Sequence, residues 1–183
     1  QGIGGFVLRS ELAERMEPLI SGGTGSMSES EEVPPYLPDK FEAGTMNLPA
    51  VCGLHAALEY LEKTGLKAIR TKELALTQIL LAGLAEIEGV RVVGPSSIQG
   101  RAAVISVDFP GRDNGEIAYR LEKDFGIVTR CGLHCSPAAH QTLGTFPKGT
   151  VRFSPGHFNT EEEMRAVLTA VHRILAETPP APE

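Results

Sequence analysis

The chain has 183 residues, 42% of them hydrophobic and 22% charged, with a formal net charge of -6; it can bury one large core or two small ones. Its acids are spread along the sequence without a basic patch or an aromatic ladder, which argues against nucleic acid as a partner. Three cysteines are too few, and odd in number, for the disulfide framework of a secreted domain. With no run of about eighteen apolar residues and no signal-like n- and h-regions, the sequence predicts a soluble cytoplasmic protein with no membrane partner.

The sequence opens without methionine on the glycine-rich QGIGGFVL, which reads as the middle of a longer protein. GGFVLR suits a strand leaving a glycine turn, and SELAERM follows it with helix formers. From Ser21 to Asp39 the run SGGTGSMSESEEVPPYLPD is too rich in Gly, Ser and Pro for a helix or a central strand. Loops of this length are functional or disordered, so residues 21–40 are expected to be mobile or exchanged with a neighbouring chain. PAVCGLHAALEYLEKTG is a helix by the spacing of Val51, Leu54, Leu58 and Leu61, with Gly65 as its stop. On that apolar helix Cys52 is expected to be a buried small hydrophobe.

A second helix is predicted over about Ala68–Glu88, with Ile69, Leu76, Ile79, Leu80, Leu84 and Ile87 on one broad face. VRVV and AAVISVDF then read as strands, NGEIAYRLEKDF as a helix begun by Asp113 or Asn114, and GIVTR and TVRFS as strands. NTEEEMRAVLTAVHRILAE closes the chain as a helix capped by Asn159 or Thr160, before a proline-rich tail. This order predicts a small α+β domain over 66–178, with helices covering one face of a largely antiparallel sheet. Residues 1–65 read as the end of a larger domain and 179–183 as the tail.

RCGLHCSPAAH, from Arg130 to His140, holds two cysteines, two histidines and an arginine. Cys131, His134, Cys135 and His140 are zinc-ligand types, but structural zinc sites use a Cys-x2-4-Cys knuckle well separated from a second ligand pair, so no metal is expected. A Cys131–Cys135 disulfide does not suit a reducing cytosol. A thiol nucleophile has more support, because cysteine reacts as thiolate and nearby cations favour that form. Cys135 has Arg130 and His134 close in sequence, and SPAAH can begin a helical turn with Pro137 at an early position. The role of Cys131 stays open.

Arg152 lies inside the short apolar strand TVRFS, where an unpaired guanidinium is costly, so it is expected to have an anionic partner. A salt bridge within the chain and a substrate carboxylate would each serve. FEAGTMN places Gly44 and Thr45 just before a helix, an arrangement of amides and a hydroxyl that suits a phosphate. GGTGS lacks the lysine and the strand-loop-helix setting of a P-loop.

Taken in order, QGIGG, GGTGS, FEAGTMN, RCGLHC and VRFSPGHFNT resemble the C-terminal portion of class V aminotransferase-like pyridoxal phosphate enzymes, and within them the cysteine desulfurase and selenocysteine lyase group. The resemblance implies an α/β chain: the end of a fold type I large domain followed by the small C-terminal domain. It implies that Cys135 attacks the sulfur of cofactor-bound L-cysteine, becoming a persulfide and leaving L-alanine, with sulfur passed to an acceptor protein and on to iron-sulfur cluster assembly. Arg152 would grip the substrate carboxylate and Arg130 would line the same pocket. Thr45, with Gly44, would reach the cofactor phosphate of the second subunit of a homodimer.

The Schiff-base lysine of that family precedes the glycine-rich segment that begins here at Gln1, and none of the six lysines stands in its context. The histidine over the cofactor ring and the aspartate on its pyridine nitrogen would also lie upstream. The chain is therefore expected to be an inactive C-terminal piece of an active enzyme, unable to hold the internal aldimine at the family position. Two other readings are a selenocysteine lyase or other class V aminotransferase, and a non-catalytic interaction module.

Overall fold

The computed structural model describes residues 2–179; Gln1 of the glycine-rich segment and 180–183 of the predicted tail lie outside them. Two compact units divide between Thr64 and Gly65.

In the first unit the expected GGFVLR strand does not form: residues 2–9 are irregular, and no strand occurs among the described residues of this unit. A strand needs an edge to pair with. Without one, the apolar run packs through side chains, Phe6 meeting Phe41 edge to face at 5.7 Å. Helix α1, Ser10–Arg15, follows. Lys40 Nζ donates to the carbonyls of Ala13 at 3.1 Å and Glu14 at 3.2 Å, placing a cation where the helix carbonyls lack partners. The predicted long loop carries a 3-10 turn at Asp39–Phe41, and the Gly44 N–H donates to the Gly23 carbonyl at 2.9 Å.

Helix α2, Leu48–Thr64, starts where Asn47 Oδ1 accepts the Ala50 N–H at 3.2 Å, an N-cap. Its burial overturns an expectation. No residue of α2 is buried, and Cys52 is exposed with Leu54 and Leu58. Helical spacing identifies an apolar stripe; whether a surface covers that stripe is a tertiary fact that spacing does not carry.

The second unit runs α3, Leu66–Ala85; β1, Arg91–Val93; β2, Ile105–Asp108; α4, Asn114–Phe125; β3, Arg130–Gly132; α5, Pro137–Thr142; β4, Thr150–Phe153; and α6, Glu161–Glu177. The four strands form one antiparallel sheet in the order β1-β2-β4-β3, as the element order implied, and the unit is α/β with helices on the sheet. Asp113 caps α4 by accepting the Gly115 N–H at 2.7 Å. Thr160 caps α6 in a reciprocal box with Glu163.

The predicted GIVTR strand forms only at its last residue. Gly126 ends α4 in a left-handed conformation, φ 68°, with its N–H on the Glu122 carbonyl and the Ile127 N–H on that of Leu121, both at 2.9 Å. This helix stop uses the backbone groups that a strand would need, and β3 starts at Arg130.

One face of the sheet makes the core. Ile105 pairs with Phe153 and Val107 with Val151, and all four are buried with Leu76, Leu80 and Leu84 of α3, Ile117 and Leu121 of α4, and Val167, Val171 and Ile174 of α6. Because side chains alternate across a strand, Ser106, Arg152 and Arg130, aligned in one cross-strand row, point to the other face.

At the end of β2, Asp108 binds Lys148 at 2.8 Å, Arg91 at 3.2 Å and the buried Asn114 at 3.1 Å. Asn114 also bonds the Phe109 N–H and the Gly149 carbonyl. Burial alone would raise the Asp108 pKa; Lys148, Asn114 and Arg91 outweigh it and hold the carboxyl below its ordinary 3.8. The unfolded chain then takes up protons more readily than the folded one. Stability from this group is complete above the unfolded value of about 3.9 and is lost as pH falls through the lower folded value. Urea denaturation at stepped pH should show unfolding free energy declining below about pH 4, less steeply in Asp108→Asn; equal slopes would contradict this account.

Gly149 has φ +75°, and a Cβ there would run into the backbone carbonyl of Gly132. Gly149→Ala should therefore cost about 2 kcal/mol or more in the same denaturation experiment, through a conformation alanine resists and a collision with β3.

Candidate functional site

The site grows from the outward face of β3 and β4. Arg130 and Arg152 are direct cross-strand partners, two guanidinium groups where like charges oppose sheet formation. Neither makes an ion pair among the described residues. Among the described residues no carboxylate meets the expectation of an anionic partner for Arg152, and its Nε is buried without a hydrogen-bond partner.

Between β3 and α5 the chain turns sharply: the Ser136 N–H donates to the Leu133 carbonyl at 2.9 Å, and Pro137 opens α5 at its first turn. Within the turn, His134 (φ 51°) and Cys135 (φ 60°) are the two non-glycine residues with positive φ among the described residues. The thiol of Cys135 is exposed, and Arg130 Nη2 donates to its Sγ at 3.7 Å. Arg130 and Arg152 thus belong to one strand pair, and Cys135 to the turn that follows β3.

Two further residues complete the cluster. His134 Nε2 lies 3.3 Å from the hydroxyl of the fully buried Thr150, and its ring is 5.8 Å from that of His140. His140 is buried, with Nδ1 2.7 Å from Thr145 Oγ1. Burial first, then Arg152, Arg130 and His140 push the His134 pKa below its ordinary value, partly offset by the Thr150 backbone. Among the described residues no carboxylate offsets that positive field. Thr150 carried no local signal, although two-residue alternation in β4 places it on the same face as Arg152.

Cys131 shares its row with Val151 and so faces the helix-covered side. Although the residue as a whole is exposed, partial burial of its thiol, then Asp113, push its pKa up. All three cysteines are free, and among the described residues no three His, Cys, Asp or Glu side chains gather as a metal site. Gly44 and Thr45 belong to the first unit. There the Gly44 N–H is already engaged by Gly23, while Thr45 is exposed. Lys40 and Lys148 are held by the hydrogen bonds described above, and Lys63, Lys67, Lys72 and Lys123 lie on α2, α3 and α4.

The family model for class-V aminotransferases matches residues 1–167. A probable cysteine desulfurase from Mycobacterium leprae is 34% identical over 95% of this chain and 41% of its own length. One from Methanothermobacter thermautotrophicus is 32% identical over 94% of this chain and 44% of its own length. Among solved structures, a cysteine desulfurase from Thermococcus onnurineus superposes with a TM-score of 0.80 at 32% identity, covering 93% of this chain and 42% of that one. Cysteine desulfurase CsdA from Escherichia coli gives 0.76 at 30% identity, covering 93% and 42%. The chain spans less than half the length of these relatives.

In a pH titration by NMR, the His134 ring should titrate below the ordinary histidine value, and Arg152→Met should move its midpoint upward by removing the cation that acts on it most. An unchanged midpoint in the variant would mean that Arg152 does not act on this ring.

Proposed function

Since the chain belongs to the class-V aminotransferase family, we propose that the whole protein is a pyridoxal phosphate-dependent cysteine desulfurase in which Cys135 receives the sulfur of L-cysteine. One observation carries this reading: an exposed cysteine lies against one of two facing guanidiniums, and among the described residues no carboxylate pairs with either. A small amino acid brings the missing carboxylate together with a sulfur for the thiol to take.

Each residue then has a task. Arg152 binds the substrate carboxylate, a planar fork suited to two parallel hydrogen bonds. Arg130 lines the same pocket while holding Cys135 Sγ. In the overall transfer the carbon–sulfur bond of L-cysteine breaks, a sulfur–sulfur bond forms at Sγ, and a proton takes the place of sulfur on carbon, giving L-alanine and an enzyme persulfide. The family's pyridoxal phosphate is the electron acceptor such a cleavage needs.

The residues described fit that cofactor only in part. They offer the exposed Thr45 hydroxyl for a phosphate, with Gly44 shaping its turn, but every lysine is either held by hydrogen bonds or set on a helix. In this reading Thr45 serves the phosphate of the second subunit of a homodimer, an acceptor protein takes the persulfide sulfur toward iron-sulfur cluster assembly, and the reaction is cytoplasmic. Among the described residues no helix is long and apolar enough to cross a membrane.

The whole protein, supplied with pyridoxal phosphate, should release sulfide and alanine from L-cysteine in the presence of a thiol reductant. Cys135→Ala should abolish that release, and Arg152→Lys should raise KM at least about tenfold by losing the bidentate pair. Full activity in Cys135→Ala, or a preference for L-selenocysteine that survives it, would reject the desulfurase reading in favour of a lyase.

A further inference from the structure

We propose that His134 is a positioning residue for Cys135: tethered to the Thr150 hydroxyl, its ring holds the left-handed His134–Cys135 pair that keeps the sulfur beside Arg130. The inference deepens the proposed function, since it takes Cys135 as the reacting thiol.

Left-handed backbone is unfavourable for residues bearing a Cβ and persists only where the surroundings enforce it. Two such residues in succession, φ 51° and φ 60°, need an anchor outside the turn. On the C-terminal side the turn is fastened by α5, whose His140 is fixed to Thr145 at 2.7 Å. On the other side it leaves β3 at Gly132, where the ladder with β4 ends opposite Thr150. Beyond the end of that ladder the side-chain contact that ties the turn to β4 is His134 Nε2 to Thr150 Oγ1 at 3.3 Å, beside an interaction of the ring with the Thr150 backbone, and Thr150 is a fully buried residue of the adjacent strand.

Everything charged around the ring favours its neutral form. Arg130 on β3, Arg152 on β4 and His140 on α5 face it, and a protonated imidazole would be repelled by both guanidiniums. A neutral ring has one nitrogen to accept or donate with the hydroxyl, so the tether persists at neutral pH. Its consequence lies one residue on: with His134 fixed, Cys135 Sγ stays within 3.7 Å of Arg130 Nη2. Freed, the turn can relax toward ordinary backbone and carry the sulfur away.

The test reads the geometry without the cofactor. The chain is treated with iodoacetamide, and alkylation of Cys135 is measured relative to Cys131 by fragment-resolved mass spectrometry, Cys131 serving as an internal control on β3. Thr150→Val keeps the shape and removes the hydroxyl; Thr150→Ser keeps the hydroxyl and removes a methyl group. A tether predicts that the Cys135 to Cys131 ratio falls about fivefold in Thr150→Val, the scale of one lost hydrogen bond. It predicts a similar fall in His134→Leu and a ratio within about twofold of the parent in Thr150→Ser. Simple space filling predicts the reverse order, with Val neutral and Ser impaired.

A parental ratio in Thr150→Val or in His134→Leu overturns the inference, as does an equal fall in Ser and Val. Thermal melts of each variant confirm that the ratios belong to folded chains. If the ratios hold in the parental range while Cys135→Ala still abolishes sulfide release, the positioning role falls and the desulfurase reading stands. The opposite pair of results keeps the tether and removes the desulfurase reading.

Discussion

The alternation of side chains along β4 is the constraint on which the second unit depends. Four residues, Thr150–Phe153, must satisfy two environments at once: Val151 and Phe153 enter the core, and Thr150 and Arg152 emerge on the opposite face. A slip of one residue would drive a guanidinium among Leu80, Ile117 and Val171 and expose two large apolar groups, a change that register strongly forbids where one face is buried. Apolar burial thus fixes the position of Arg152 without any contact made by Arg152 itself. Its neighbours β2 and β3 inherit the same register, which sets Arg130 across from it.

That inheritance produces a local conflict. Two arginines face each other across a strand pair, a buried Nε has no partner, two residues take left-handed backbone, and a histidine sits in a positive field. Each feature disfavours the folded chain, and each lies on one face, around one thiol. Other parts of the second unit agree with local rules: Asp113 and Thr160 cap their helices, Gly126 stops α4, and the Asp108 carboxylate is surrounded by Lys148, Arg91 and Asn114. Disagreement between local rules and the fold, gathered in this way around one patch, is expected where a surface is shaped for a ligand. The conflict is of a kind an anion would relieve, since a carboxylate between the guanidiniums turns a repulsion into two attractions.

Much of this was legible in the sequence, and the division follows the range of the interactions. Helix caps, the Pro137 start of α5, the α6 capping box and the apolar face of α3 are set within a few residues, and the pattern displays them. The candidate thiol and Arg152 stood out because their residue types are unusual for their surroundings. The Arg130–Arg152 pairing is a register across twenty-two positions, and the His134–Thr150 contact spans sixteen; neither has a local signature. GGFVLR failed for a related reason: its composition permits a strand, but pairing requires a second edge that the described residues of its unit do not supply. GIVTR failed because Gly126 was needed to end a helix, a requirement that outranks the β propensity of the residues after it. Cys52 and the apolar stripe of α2 mark the same limit, since spacing reports which face is apolar and is silent on what covers it.

The resemblance to a known family and the physical reading meet at the cluster and draw on different information. Five short motifs in order point to a sulfur-transferring thiol with no knowledge of where its neighbours lie. Geometry supplies those neighbours: one guanidinium on the sulfur, a second across the sheet with its Nε unmatched, and a ring pinned behind the turn. The thiol alone would be an exposed cysteine like Cys52, which lies on a helix with no buried residue. What distinguishes Cys135 is that its position is determined from three sides, by β3 through Arg130, by β4 through Thr150 and His134, and by α5 through the turn that Pro137 begins. The proposed reaction needs a thiol that is held as well as exposed, and the second unit places its two left-handed non-glycine residues at this one.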